Sequence, residues 1–221
     1  MWRRSWLVCL LILVPGIASA QNVPERLLPG GSQVYLRWDG INKHRAAFDN
    51  TAVGKMLKED TGKFLAALWK YGNEFLDIAL RQADPNVAAL VKEIPAILSG
   101  IHQHGFVLGI EAKAFVPPQV EGVLVLPKAG GDKGSLLPLI EKLAGLAKAD
   151  IKRTQVGKRN VHEIGNEQVH FGWWSEAGDD VVLVFGTASP ADLAKAAASS
   201  SGSFAESKTY ARMAGFKEFP V

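Results

Sequence analysis

The hydrophobic pattern of this chain changes its period at Gly105. Upstream, apolar residues recur three and four apart, the spacing that keeps one face of a helix apolar. Downstream, Phe106, Leu108, Ile110 and Ala112 alternate with Val107, Gly109, Glu111 and Lys113, which is the period of a strand. A block of helices followed by a run of strands cannot weave into alternating strand–helix–strand units. The pattern predicts an α+β fold in which a helical block and further helices pack on a mainly antiparallel sheet.

The elements follow from local signals. Gln33 to Trp38 reads as a first strand between the turn Pro29-Gly30-Gly31 and Asp39-Gly40. Short helices are expected at 42–48 and 52–58, and longer ones at 62–83 and from Pro85, where Asp84 is a suitable N-cap. The first long helix carries Phe64, Leu68, Tyr71, Phe75 and Ile78 at helical spacing, and the second carries Val87, Leu90, Val91, Ile94, Ile97, Leu98 and Ile101. Both stripes read as core-facing. Pro95 removes a backbone donor inside the second and predicts a kink or break. Strands are expected at 106–113, 120–126, 151–156, 160–164, 169–174 and 181–185, with helices at 135–148, 190–198 and 204–215.

Residues 1–20 have the three parts of an export signal. Arg3 and Arg4 precede an apolar run from Trp6 to Val14, too short to span a bilayer, and Ala18-Ser19-Ala20 forms a small-residue cleavage site. The expected product is a single α+β domain over 21–221, secreted or periplasmic. Cys9 is the one cysteine and lies in the signal, so the mature chain has neither a disulfide nor a thiol nucleophile. No segment after the signal is apolar enough for a membrane span. With the signal's arginines gone, roughly one net positive charge remains, and acidic residues interrupt the basic ones. That argues against nucleic acid as a partner.

Motifs for chemistry are weak. His162-Glu163-Ile164-Gly165-Asn166 has asparagine where a zinc protease needs its second histidine, and Gly165-Asn166 signals a turn in extended chain. A turn over 165–167 would set His162 opposite His170, with Val161, Val169, Phe171 and Trp173 facing the core. That histidine pair is the only metal candidate, and it would need a further ligand from His44, His102, His104 or Glu163. A surface pair without metal is the preferred reading. His102 and His104 suit the end of a helix. Gly130-Gly131-Asp132-Lys133-Gly134-Ser135 has a lysine out of place for a phosphate loop and an aspartate that would repel phosphate, so a helix start explains it better. The pairs Glu59-Asp60 and Asp179-Asp180 read as turn and capping residues, and no G-x-S-x-G elbow occurs. No catalytic or cofactor-binding residue is assigned, and no cofactor is expected. Trp173 and Trp174 must leave a strand on opposite faces, so one can be a partner contact if nothing covers it.

The opening Leu27-Leu28-Pro29-Gly30-Gly31-Ser32-Gln33-Val34-Tyr35-Leu36-Arg37-Trp38, with Thr51-Ala52-Val53-Gly54-Lys55-Met56-Leu57, resembles an uncharacterised family of exported bacterial proteins. Thr187-Ala188-Ser189-Pro190-Ala191-Asp192-Leu193 and Ser207-Lys208-Thr209-Tyr210 are similar to that family's strand-to-helix passage. The resemblance implies export but no activity and no catalytic residue. It also implies a longer design, in keeping with 216–221, which read as the entry into a further element whose strands are missing or supplied elsewhere. The expected function is a non-catalytic binding or scaffolding module of the cell envelope, working through a sheet edge or an exposed tryptophan. An envelope hydrolase or metal-dependent enzyme is the first alternative, and a carrier of an apolar ligand between helices and sheet the second.

Overall fold

A computed structural model describes residues 23–81, 84–131, 136–166, 168–177, 179–199 and 202–214. The expected export signal, Asp132 to Ser135 of the glycine-rich segment, and 216–221 lie outside the described residues. The order is β1 (Val34–Trp38), α1 (Ile41–Asn50), α2 (Ala52–Lys58), α3 (Asp60–Leu80), α4 (Pro85–His104), β2 (Phe106–Phe115) and β3 (Pro118–Leu126). Then come α5 (Leu136–Leu146), β4 (Lys152–Val156), β5 (Arg159–Gly165), β6 (His170–Ser175), β7 (Val181–Gly186), α6 (Pro190–Ser199) and α7 (Lys208–Ala214). The fold is α+β, as the change of period requires.

The strands form one seven-stranded sheet in the order β1-β2-β3-β7-β6-β5-β4, with every pair antiparallel. The join between β3 and β7 runs from Glu121↔Gly186 to Leu126↔Val181. One face of the sheet presents Val107, Val123, Val125, Val161, Trp174, Val182 and Val184, all buried. It is covered by Leu28, Phe204 and the alanines Ala191 and Ala194 of α6. Each such valine contributes about 1.5–3 kcal/mol by leaving water, so this face holds most of the stabilising burial. Gly172 lets α6 begin directly on the sheet, since a side chain there would collide with Pro190.

The opposite face is covered only in part. Ile97 and Ile101 at the end of α4 and Leu136, Leu137 and Ile140 of α5 pack against Phe106, Leu124, Val181 and Leu183. The helical stripes behave differently from expectation here. In α3, Phe64, Leu68, Tyr71 and Ile78 are 56–68% exposed, so this helix is not part of the core. The reason lies in how the block is attached. The chain leaves β1 at Gly40 and returns to β2 at Gly105, and of the two long helices only the end of α4 adjoins the sheet. In α4, Leu90 is buried, while Val87, Ile94 and Leu98 are 44–55% exposed. This helix runs through Pro95 without breaking. The carbonyl that loses its donor is that of Val91, one turn back, and Val91 and Pro95 both border an open groove where water can replace the bond.

Glu25 ties the chain before β1 to the sheet. Its side chain is fully buried, yet Oε1 accepts the Tyr35 hydroxyl at 2.7 Å and pairs with Arg37 Nη1 at 2.6 Å. Arg37 continues to Asp39 at 2.6 Å, and Asp39 to Lys43 at 2.7 Å. Burial, with the Glu25 carboxylate beside it, pushes the Tyr35 hydroxyl far above its usual range, so it stays a donor. Removing the Glu25 side chain leaves the Tyr35 hydroxyl without its acceptor and a void in a fully buried site, with Arg37 held by Asp39 alone. Glu25→Ala should therefore destabilise the fold by about 3 kcal/mol in urea unfolding, whereas Lys58→Ala, which breaks only the exposed pair with Asp49, should cost about 0.5 kcal/mol or less.

Candidate functional site

The β5–β6 connection decides where both histidines point. Asn166 accepts the N–H groups of Gln168 and Val169 on its side chain at 2.9 and 3.0 Å, and its own N–H donates to Val169 O at 3.0 Å. This side-chain-locked turn is longer than the expected one and pairs Gly165 with His170 and His162 with Trp173. The shift is an odd number of residues, so it reverses which side chains share a face. His162 and His170 are not opposite one another. They lie on opposite faces of the sheet and cannot bind one metal ion. The expected core row is split as well. Val161 faces α6 with Trp174, while Phe171 and Trp173 share the other face with His162.

His170 belongs to a polar cluster on the α6 side. Its Nδ1 lies 2.8 Å from Glu163 Oε1, and the Ser189 hydroxyl donates to Glu163 Oε2 at 3.4 Å. Lys152 Nζ stands 3.8 Å from the same oxygen. Ser189 also accepts the Ala191 N–H at 3.3 Å, as the cap of α6. Its proton goes to a carboxylate and not to an imidazole, so it is not arranged as a nucleophile. The cluster satisfies a carboxylate that is 7% exposed and fixes α6 to β5.

His162 instead borders an open cleft of about 530 Å³ between α5 and the ends of β5 and β6. Gly130, Glu141, Lys158 and Asn160 line it, with Trp173 at its base. The imidazole rests on Trp173, ring centroids 5.2 Å apart. Glu141 Oε1 approaches His162 Nδ1 to 3.3 Å, but out of line for a hydrogen bond, and Nδ1 is left without a partner. Burial lowers the pKa of His162 below the ordinary value of 6.5, against the opposing pull of Glu141 and with the help of Arg153. The shift favours the neutral imidazole, in which one ring nitrogen donates and the other accepts a hydrogen bond. Among the described residues no group of three or more His, Cys, Asp or Glu side chains is placed to hold a metal.

The remaining candidates have structural work. His102 and His104 close the last turn of α4, and His44 lies 3.7 Å from Asp39. Asp180, its pKa raised by burial, accepts the Lys128 N–H at 3.0 Å. Glu59 and Asp60 mark the junction of α2 and α3. Trp173 and Trp174 are 1% and 2% exposed, so neither is displayed to a partner. Trp174 donates to Glu176 Oε1 at 2.9 Å, the oxygen that also receives Arg159. Among the described residues the displayed tryptophans are Trp38 and Trp69, at 39% and 63% exposure. Sequence reasoning passed over both, although Trp38 ends an alternating strand and Trp69 sits beside Leu65, Leu68 and Gly72 at helical spacing.

The sheet also keeps an open apolar face at its β1 end. β1 is an edge strand, and its Val34 and Leu36 are 44% and 51% exposed. They stand beside Ile110 and Leu108 of β2, and the surface continues to Val120 and Phe185, 37% and 38% exposed. Phe185 lies over Gly122, where any side chain would collide with its ring. Compared with family models, with curated proteins and with solved structures, the chain matches none.

The pH dependence of stability should carry the signature of His162. A folded-state pKa below the unfolded value means that the unfolded chain binds more protons in the interval between them, so stability rises with pH there and is lost as pH falls below 6.5. His162→Gln should remove that part of the acid-side loss when urea midpoints are compared between pH 7.5 and 5. An unchanged profile would show that His162 is not protonated on unfolding in this range.

Proposed function

We propose that this chain is an exported, non-catalytic module that binds or scaffolds a partner at the cell envelope. One observation carries the reading: the open sheet face running from Val34 and Leu36 on the edge strand to Phe185. Isolated exposed apolar side chains are ordinary on a protein surface, whereas a contiguous row across an edge, next to unpaired backbone groups, is a place for another chain to dock. A partner strand can add to the outer edge of β1 through main-chain hydrogen bonds while its apolar side chains settle beside Val34 and Leu36. The envelope address rests on the leader-like residues 1–20. The non-catalytic part is supported by how the candidate groups are used, with Glu163 and Ser189 committed to holding α6 and His162 remote from His170. Among the described residues no helix is long and apolar enough to cross a membrane, and the partner surface needs none.

A photo-crosslinking amino acid in place of Val34, on the same face of β1, should capture an envelope protein in intact cells. Adding Leu36→Glu should abolish recovery of that protein while leaving the unfolding free energy in urea within about 0.5 kcal/mol of wild type, because the side chain is already half exposed. Recovery undiminished by Leu36→Glu would overturn the reading.

A further inference from the structure

A second apolar surface lies away from the sheet, on α3 and α4. The two helices splay around an open groove of about 640 Å³. On α3 it is lined by Leu65, Leu68, Trp69, Gly72, Asn73 and Leu76, and on α4 by Val91, Ile94, Pro95 and Leu98, so that Asn73 is its one polar side chain. Leu65, Leu68 and Gly72 follow one another at steps of three and four, as do Val91, Ile94 and Leu98. Such a seam keeps facing the same way along a helix and is what one helix presents to another. The charges along α3 lie elsewhere: Lys63, Lys70, Glu74 and Asp77 all fall on the side opposite Gly72.

We infer that the occupant of this groove is the α3 helix of a second copy of the chain, giving an antiparallel four-helix arrangement about a two-fold axis at Gly72. Three observations select a second copy. An antiparallel pairing centred on Gly72 sets Leu68 against Leu76 of the other copy, so the seam is its own complement. Apart from its own helix backbone, nothing lies within 4 Å of where a Gly72 side chain would begin, so a second backbone can approach closely there. The exposed parts of Phe64, Leu65, Leu68, Trp69, Ile94 and Leu98 amount to roughly 700 Å², close to the ~800 Å² each partner contributes to a stable interface. Among other occupants, an anionic membrane is disfavoured because α3 balances its basic residues with Asp60, Glu74 and Asp77. This pairing uses neither β1 nor the open sheet face, so it stands apart from the proposed envelope partner.

The test is the mass of the purified chain by sedimentation equilibrium, with a cysteine placed at the axis. The wild-type chain should have twice the monomer mass at tens of micromolar. Leu68→Glu should be monomeric with an unchanged helical circular dichroism signal, and Leu36→Glu should remain dimeric. In a Cys9→Ser background, Gly72→Cys should form an intermolecular disulfide on mild oxidation, while Lys70→Cys, on the far side of α3, should not. A monomeric wild type, a dimer indifferent to Leu68→Glu, or equal cross-linking at both positions would each overturn the inference. So would a monomer that binds phosphatidylcholine vesicles through Leu68, which would make a lipid surface the occupant instead.

Discussion

The structure depends on the pairing of β3 with β7. One strand closes the meander begun by β1 and β2, the other closes the meander of β4, β5 and β6, and among the described residues their ladder is the only strand contact between the two. Val123 and Val125 on one strand and Val184 and Val182 on the other are at most 1% exposed. A central ladder flanked by four buried β-branched side chains combines backbone hydrogen bonds with the tightest part of the core. The cover from α6, the chain start at Leu28 and the turn at Phe204 all converge on it. The two candidate regions then lie to either side, the His162 cleft towards β5 and the open apolar face towards β1.

Much of the local structure was legible because its signals are short-ranged. The change of period at Gly105 coincides with the α4–β2 boundary, Asp84 does cap α4, and the strand and helix limits fall within a few residues of those expected. Long-range pairing was not legible. The order β3-β7 cannot be deduced from either strand, since Gly122 to Leu126 and Val181 to Phe185 are both continuous runs without a polar side chain and both would suit any central position. The β5–β6 register failed for a more specific reason. Gly165-Asn166 was read as a tight turn, but the Asn166 side chain closes a longer one, and the odd offset moved His170 to the other face. A single side-chain hydrogen-bonding choice thus separated the two candidate metal ligands.

The helical stripes carry a related lesson. Periodicity in α3 shows that one side is apolar, and the natural inference was burial against the sheet. Periodicity does not say what lies opposite. Phe64 and Leu68 have the pattern of core residues and the exposure of surface ones, because α3 lies in a block joined to the sheet through one end of α4. The His162 cleft was out of reach for another reason. His162, Glu141 and Trp173 come from three elements, and nothing in their spacing along the chain reports that α5 crosses over β5.

The base of the helical block has a bearing on how such a chain can change. Gly40 and Gly105 both have φ near +80°, and each is packed against the backbone next to the other, Gly40 on Gln103 and Gly105 on Trp38. Trp38 and Phe106 are paired immediately below. To the sheet, everything from Ile41 to His104 is one oversized hairpin loop whose two ends meet at a fixed point. The entropy of closing a loop rises only slowly with its length. Helices α1 to α3 can therefore be lengthened, shortened or exchanged inside that loop without moving a single rung of the ladder between β1 and β2, so long as Ile97 and Ile101 of α4 stay on the sheet. The glycine pair makes that part of the block an interchangeable insert in an otherwise constant sheet.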